Sequence, residues 1–361
     1  MVTPGRNTTG GYVRKDSLRK RGAKRPFSFC IVTLGCAKNT VDANGMAILL
    51  QRAGFQSIQD PKKADCVIVN TCGFIQPARD ESLETLQELS ETLNRNQILV
   101  AAGCWAQRQP DVLLENIPRL NGVIGTRSWT EIVPLLQSFA AGQVKSAQVL
   151  VEKHLSAMPE DAGAPGYVVS GLSAFLKIAD GCDRVCAFCA IPAIKGRHVS
   201  RSVQAILRDA QELQALGVKE INLIAQDTTY YGHDLGIDEG LAQLLEQMVA
   251  TVPDVPWIRI LYAFPGFVTP HLIEVIARYP QILPYIDIPL QHAHPDVLHR
   301  MRRPDDVDEV RRTIASLRTA MPDVAIRTTL VVGFPGETDA EFQTLLDFVK
   351  EMQFDRVGVF V

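Results

Sequence analysis

The feature that most constrains this chain is a repeated exchange between two hydrophobic periods. Short β-type runs are followed by longer stretches with helical spacing over most of its 361 residues. Strand alternating with helix predicts parallel sheets joined by right-handed crossovers. The rhythm comes in two series. The first opens at Phe27, with β-type runs at Phe29–Leu34, Cys66–Asn70, Ile98–Ala102 and Gly122–Gly125, and helical patterns at Ala43–Ala53, Asp80–Leu93 and Glu131–Ala141. The second opens near Leu172. Its runs are Phe175–Ala179, Glu220–Ala225, Trp257–Ala263, Tyr285–Leu290, Arg327–Val332 and Arg356–Val361. Helical patterns fill the intervals at Val203–Leu216, Leu241–Val249, Pro270–Tyr279, Val307–Met321 and Ala340–Met352. Five complete strand–helix units and a sixth strand make a parallel barrel or partial barrel. Between the series, residues 142–171 lose the rhythm and contain Ala-Gly-Ala-Pro-Gly (162–166), which reads as a linker. The expected fold is therefore α/β: a Rossmann-like parallel-sheet domain over 27–141, a linker, and a partial (β/α)6 barrel over 172–361 that ends in its sixth strand. A chain that stops on a strand with no helix to cover it reads as truncated.

Charge singles out the N-terminus. Residues 1–26 hold eight Lys and Arg against one acid, Asp16, with almost no apolar residues. That composition predicts a disordered basic tail, either a solvated extension or a segment that touches RNA. No apolar run is long enough to span a bilayer and no secretory signal is present, so a cytoplasmic protein with no membrane association is expected.

In that compartment thiols stay reduced, so clustered cysteines point to metal binding or catalysis. There are eight: 30, 36, 66, 72, 104, 182, 186 and 189. Cys182, Cys186 and Cys189, in the spacing CxxxCxxC, follow the first barrel strand directly and so sit at its C-terminal end, where parallel barrels build their active sites. Three thiolates can bind three irons of a [4Fe–4S] cube and leave the fourth iron open to the amino and carboxylate groups of S-adenosylmethionine (SAM). Structural zinc and closed clusters usually take four ligands. Phe188, just before the third cysteine, is either a shield for the cluster and cofactor or plain core. Cys36, Cys72 and Cys104 are far apart, yet each lies just past a strand and beside a glycine. A parallel sheet brings the C-terminal ends of its strands to one edge, so these three also converge and predict a second cluster with an open iron. Cys30 and Cys66 sit at strand starts and read as small buried hydrophobes.

The ends of other barrel strands supply candidate SAM contacts: Gln226 and Asp227, Gln291 and His292, and Gly333 and Gly336 with Glu337. Each could equally serve a turn or a structural hydrogen bond. Lys195, Arg197 and Arg201 form a basic stretch after the cluster motif that reads as a solvated face or as a contact for an acidic group. His198, His294 and His299 read as solvated or capping residues.

Two three-cysteine sets, the second preceding a barrel, resemble the radical SAM methylthiotransferase family. Within it, Leu-Gly-Cys-Ala-Lys-Asn-Thr-Val-Asp (34–42), Cys-Gly-Phe-Ile (72–75), Ala-Gln-Asp-Thr-Thr-Tyr-Tyr-Gly (225–232), Leu-Tyr-Ala-Phe-Pro (261–265) and Tyr-Ile-Asp-Ile-Pro-Leu-Gln-His (285–292) are similar to the RimO-like branch. The transfer-RNA branch, MiaB-like, typically shows Gly-Cys-Gln-Met-Asn and Leu-Pro-Val-Gln-Ser-Gly, and neither string occurs here. The resemblance implies two [4Fe–4S] clusters and SAM as both radical source and methyl donor. It implies addition of a methylthio group to the β-carbon of an aspartate in a small-subunit ribosomal protein, with a deoxyadenosyl radical taking the hydrogen. It implies an electron donor of flavodoxin or ferredoxin type, a sulfur donor left open, and a monomer. The family's small C-terminal β-barrel, the TRAM domain, does not follow in this sequence. Transfer-RNA adenosine modification and a non-catalytic iron–sulfur protein are the competing readings.

Overall fold

A computed structural model describes residues 25–143, 146–152 and 158–361, so nearly all of the expected basic tail lies outside the described residues. In the first half, six strands form one parallel sheet: β1 (Ser28–Thr33), β2 (Gln56–Ser57), β3 (Cys66–Thr71), β4 (Ile98–Gly103), β5 (Gly122–Gly125) and β6 (Gln148–Leu150), in the spatial order β2-β1-β3-β4-β5-β6. β3, Cys-Val-Ile-Val-Asn-Thr, is buried at every position, as a strand covered on both faces must be. Successive residues feed opposite cores. Phe29, Ile68 and Val100 pack with Met46 and Leu50 of α1 (Ala37–Arg52) and with Leu135 of the fifth helix, which spans Ile132–Ala140. Cys30, Val67 and Leu99 pack with Leu86 of α2 (Gln76–Thr92) and Leu113 of the fourth helix, Pro110–Asn116. Between α2 and that fourth helix lies the short α3 (Cys104–Arg108); the fourth and fifth helices are α4 and α5.

The second half is built on six parallel strands in sequential order. β8 (Ser173–Lys177), β11 (Glu220–Ile224) and β12 (Trp257–Ile260) pair in register, as do β13 (Tyr285–Asp287), β14 (Ala325–Val331) and β15 (Arg356–Phe360). The two groups join through a parallel bridge between Ile258 and Ile282, and through the Ala263 amide donating to Asp287 O at 2.8 Å. The result is the expected partial barrel. Its core takes Leu176, Leu223, Ile260, Ile286 and Leu330 from the strands. Helices α7 (Val203–Ala215), α8 (Gly240–Thr251), α9 (Pro270–Arg278), α11 (Val307–Ala320) and α12 (Asp339–Met352) add residues such as Leu213, Leu244, Ile276, Leu317 and Leu345. Short helices α6 (Ile191–Lys195) and α10 (Pro295–Arg300) lie at the C-terminal mouth.

Three pairings go beyond the sequence reading. The stretch 142–171, taken for a linker, contains β6 and also β7 (Tyr167–Ser170), which lies antiparallel on β8. Beyond β8, β9 (Ala179–Asp180) pairs antiparallel with β10 (Val199–Ser200) and pinches the loop that carries the CxxxCxxC cysteines. No helix among the described residues is long and apolar enough to cross a membrane.

Candidate active site

The strand order of the first sheet reverses between β1 and β3, and open α/β sheets bind ligands beyond the carboxyl ends of their strands at such a switch point. Cys36 follows β1 and Cys72 follows β3, so they straddle it; Cys104 follows the adjacent β4. Gly35 has a φ of 89°, and a Cβ on it would stand 2.8 Å from Cys72 Cβ and 3.0 Å from its Sγ. Glycine there is what lets the two strand ends close up. Asn39, in the first turn of α1, ties the rest together: its Nδ2 donates to Leu34 O (3.1 Å) and Thr71 O (3.0 Å), and its Oδ1 accepts from Cys104 Sγ at 3.3 Å. Cys36 is exposed, Cys72 half-buried and Cys104 buried. Burial pushes the Cys104 thiol up to about 12 and raises that of Cys72, so these thiols become thiolates by binding metal and releasing protons. Cys30 and Cys66 lie apart, inside the two cores, as expected.

The second trio occupies a loop closed at its neck by the β9–β10 pair and by the Cys182 amide donating to Gly196 O at 3.0 Å. Inside it, the amides of Arg184 and Ile191 donate to the sulfurs of Cys182 (3.4 Å) and Cys189 (3.5 Å). Arg303 reaches Cys186 Sγ at 3.8 Å while its guanidinium lies 4.3 Å from the Phe264 ring centroid. The Ala187 amide, donating to Met301 O at 2.9 Å, anchors the loop to the end of α10. Burial pushes the Cys182 thiol up to about 11 and raises Cys189. Donors aimed at sulfur suit thiolates that carry a cluster. Among the described residues, ligand atoms of three or more candidate residues come within 4.8 Å of one another only at His294, Asp296 and Glu341. Two of those serve helix caps, His294 Nδ1 accepting from the Asp296 amide and Glu341 in a capping box with Thr338, while Asp296 lies in the first turn of α10.

At the barrel mouth, Gln226 Nε2 donates to Asp180 Oδ1 at 2.9 Å and its Oε1 is buried without a partner. Asp227 is buried against Arg184 (2.8 Å). Gln291 adopts a φ of 76° at the end of the fourth barrel strand and is bridged to Leu330. His292 is buried between Glu337 (3.2 Å) and the amide of His294, which makes it a structural residue. Gly333 and Gly336 have φ of 71° and 82°; a Cβ would meet open space at Gly333 and Arg300 Nε at 3.9 Å at Gly336. Phe188 is 39% exposed beside Cys189 and belongs to no core. The basic stretch after the motif is not a solvated face: Arg197 is exposed, but Arg201 is buried on Asp209 (2.8 Å) and Lys195 is buried among acids. His198 is buried too, its Nε2 at 3.0 Å from Ser200 Oγ.

Between the two trios runs the first half of α1. Lys38 Nζ donates to Ala225 O (3.0 Å) and lies 3.7 Å from the Tyr262 ring centroid. One turn on, Asp42 accepts from Lys177 (2.6 Å) on β8 and Lys195 (2.9 Å) on α6. Glu160, close to Lys177 (2.5 Å) without the alignment of a hydrogen bond, and Asp180, at 2.9 Å from Lys195, complete a buried group of three carboxylates and two ammonium groups. Burial alone would lower the lysines, but the carboxylates outweigh it and hold both above their ordinary value. Sequence reasoning passed over Lys38, Asn39, Asp42, Tyr262 and Arg303 as site residues; the visible signal was that a helix start so close to Cys36 carries Lys, Asn and Asp where an apolar stripe is usual.

With this geometry in view, comparison with known proteins places the chain. Residues 176–349 match the radical SAM superfamily, and residues 28–125 match the uncharacterized protein family UPF0004. A radical SAM methyltransferase structure, TsrM from Kitasatospora setae, superposes with a TM-score of 0.70 at 14% identity, covering 93% of this chain and 73% of that one. The cobalamin-dependent radical SAM enzyme OxsB gives 0.64 at 12% identity, covering 90% and 52%. These share the fold. Curated relatives are nearer in sequence. The ribosomal protein uS12 methylthiotransferase RimO of Herpetosiphon aurantiacus is 46% identical, over 92% of this chain and 76% of its own length. That of Synechocystis is 45% identical, over 91% and 72%. At this identity and coverage, the chain belongs to the RimO family of radical SAM methylthiotransferases.

Proposed function

We propose that this chain adds a methylthio group to the β-carbon of an aspartate in small-subunit ribosomal protein uS12, the protein named for its relatives. The observation that supports this most is the placing of two cysteine trios at the C-terminal edges of two parallel sheets, with α1 spanning the gap between them. In this reading Cys182, Cys186 and Cys189 hold one [4Fe–4S] cluster in a barrel unit over 172–361. Cys36, Cys72 and Cys104 hold the other in a unit over 27–141. When bound, the clusters and SAM supply reductive cleavage of SAM and the transfer of methylated sulfur. The chain itself positions and shields. Phe188, Gln226, Gln291, Gly333 and Gly336 line the side of the mouth where SAM binds. The amides of Arg184 and Ile191, with Arg303, donate to the sulfurs and would steady them as thiolates once metal is bound. The rings of Tyr262, Phe264 and Phe267 wall the gap against water, and Arg184 stacks on Phe264 and Phe267 at 4.2 and 3.9 Å. The chain works in the cytoplasm as a monomer, reduced by a flavodoxin- or ferredoxin-type donor.

Three experiments test the reading. Cys182→Ala, Cys186→Ala or Cys189→Ala abolishes formation of 5′-deoxyadenosine under dithionite. The triple replacement of Cys36, Cys72 and Cys104 by Ala keeps SAM cleavage, lowers iron by about half and stops methylthio transfer, because the two sites sit in separate units. Mass spectrometry of uS12 from cells with and without the gene shows the added methylthio group only in the former. Unmodified uS12 in both would refute the substrate.

A further inference from the structure

We infer that Lys38 recognises the side-chain carboxylate of the residue being modified, an inference that rests on the reading above. A carbon that receives sulfur from one trio after losing hydrogen at the other has to lie in the gap the two share. Lys38 stands in that gap. It is the second residue of α1, two positions after Cys36, yet its Nζ donates to Ala225 O at the end of β11 and lies over the ring of Tyr262, just past β12. The side chain therefore crosses from the first sheet to the barrel mouth.

The neighbouring charges are already matched. Lys195 has Asp42 and Asp180, both at 2.9 Å; Arg184 has Asp227 at 2.8 Å; Arg327 has Asp287 at 2.7 Å. Arg303 is committed to Cys186 Sγ and Pro289 O. Lys38 differs: among the described residues no carboxylate lies within 4.0 Å of its Nζ. An ammonium carries three donors, and one is used. The platform beneath it is held in an uncommon state, since Tyr262 has a φ of 64° with its carbonyl accepting from the Thr228 amide at 3.1 Å. Such strain in a non-glycine residue concentrates at ligand clamps. An ammonium resting on an aromatic face presents its other side to an anion, and a carboxylate placed there would offset the burial that lowers the Lys38 pKa. The class of anion that fits is a carboxylate small enough to enter the gap, which an aspartate side chain supplies. SAM carries the same group, so the test separates the two.

Fluorescently labelled uS12, and its version with Asn at the modified aspartate, are titrated anaerobically against the reconstituted full chain, its K38M and K38R variants, with iron content and peptide-free SAM cleavage recorded for each. Wild type binds the Asp form more tightly than the Asn form. K38M weakens the Asp form about ten- to a hundredfold, the range for a lost charge-assisted bond, changes the Asn form less than threefold, and keeps its iron; K38R restores part of the preference. Equal weakening of both forms, or unchanged uS12 binding with a raised KM for SAM, overturns the inference. If wild type binds and modifies neither form, the substrate reading itself fails.

Discussion

Glycine shapes the two trios as much as cysteine does. Gly103 has a φ of 93°, and a Cβ there would fall on Asn70 Oδ1 and stand 2.7 Å from Thr71 O, immediately before Cys104. Gly181, at φ 76°, would drive a Cβ into Arg197 O just before Cys182. A left-handed backbone costs a non-glycine residue about 1–2 kcal/mol before any clash is counted. Gly103→Ala should therefore lose about half the iron while still cleaving SAM, and Gly181→Ala should lose SAM cleavage; iron per chain and 5′-deoxyadenosine yield after anaerobic reconstitution check both. Full iron in both variants would show that the backbone yields. A second residue-scale effect concerns pH. His198 is buried with Nδ1 unpartnered, and burial holds its pKa below the ordinary value despite Asp234, Asp227 and Asp183 nearby. Its neutral form is the folded form, so its contribution is present above about pH 6.5, the ordinary value, and is lost as pH falls through the lower folded value. His198→Gln should make the acid-side fall in Tm shallower. At this scale the placement of Cys36, Cys72 and Cys104 was legible because each follows a strand, and strand ends share an edge. Lys38, Asp42 and Tyr262 were not, because their roles come from contacts between segments far apart in the chain.

At the scale of elements, the legible ones carry a clear period or a cap. α12 has a clear helical period over Ala340–Met352, and the structure fixes its start with a full capping box of Thr338 and Glu341, the latter also reaching Arg300 at 3.0 Å. Thr338→Ala should cost about 1 kcal/mol, read as a lower denaturation midpoint at unchanged m-value. α1 was less legible: its apolar spacing suggests a start at Ala43, whereas the helix begins at Ala37. Its first turns bury Asn39 and Asp42 against polar partners, so the usual apolar stripe is missing where the helix does most for the site. β2, β6, β7, β9 and β10 have two to four residues each, too few to display a period of two. Their pairing is decided by neighbouring strands, which is why a stretch that reads as a linker holds edge strands of both sheets.

At the scale of the molecule, the question is what fixes one cysteine trio relative to the other. Contacts of α1 do most of it: Lys38 on Ala225 O, Asn44 Nδ2 donating to Tyr167 O at 2.8 Å, and Asp42 between Lys177 and Lys195. Only the last is fully buried and ionic, and it joins the helix after Cys36 to both the strand before the barrel cysteines and the helix after them. A buried ion pair adds little net stability compared with apolar packing, but removing one partner costs about 3–5 kcal/mol because the other charge is stranded. Asp42→Asn takes one partner from each of two lysines, leaving Lys177 with Glu160 and Lys195 with Asp180. Beyond the loss in stability, the two units should sit in a looser register, so that a substrate carbon that has lost hydrogen at the barrel site would meet the sulfur to be transferred less often. The expected outcome is a higher ratio of 5′-deoxyadenosine formed to methylthio groups transferred, with iron content retained. Leu213→Ala, a core truncation in α7 away from the gap, should cost a similar 2–5 kcal/mol and leave that ratio where it was. If both variants change the ratio alike, stability alone explains it; if Asp42→Asn lowers the denaturation midpoint and leaves the ratio at the wild-type value, the buried charges hold the fold together without setting the gap.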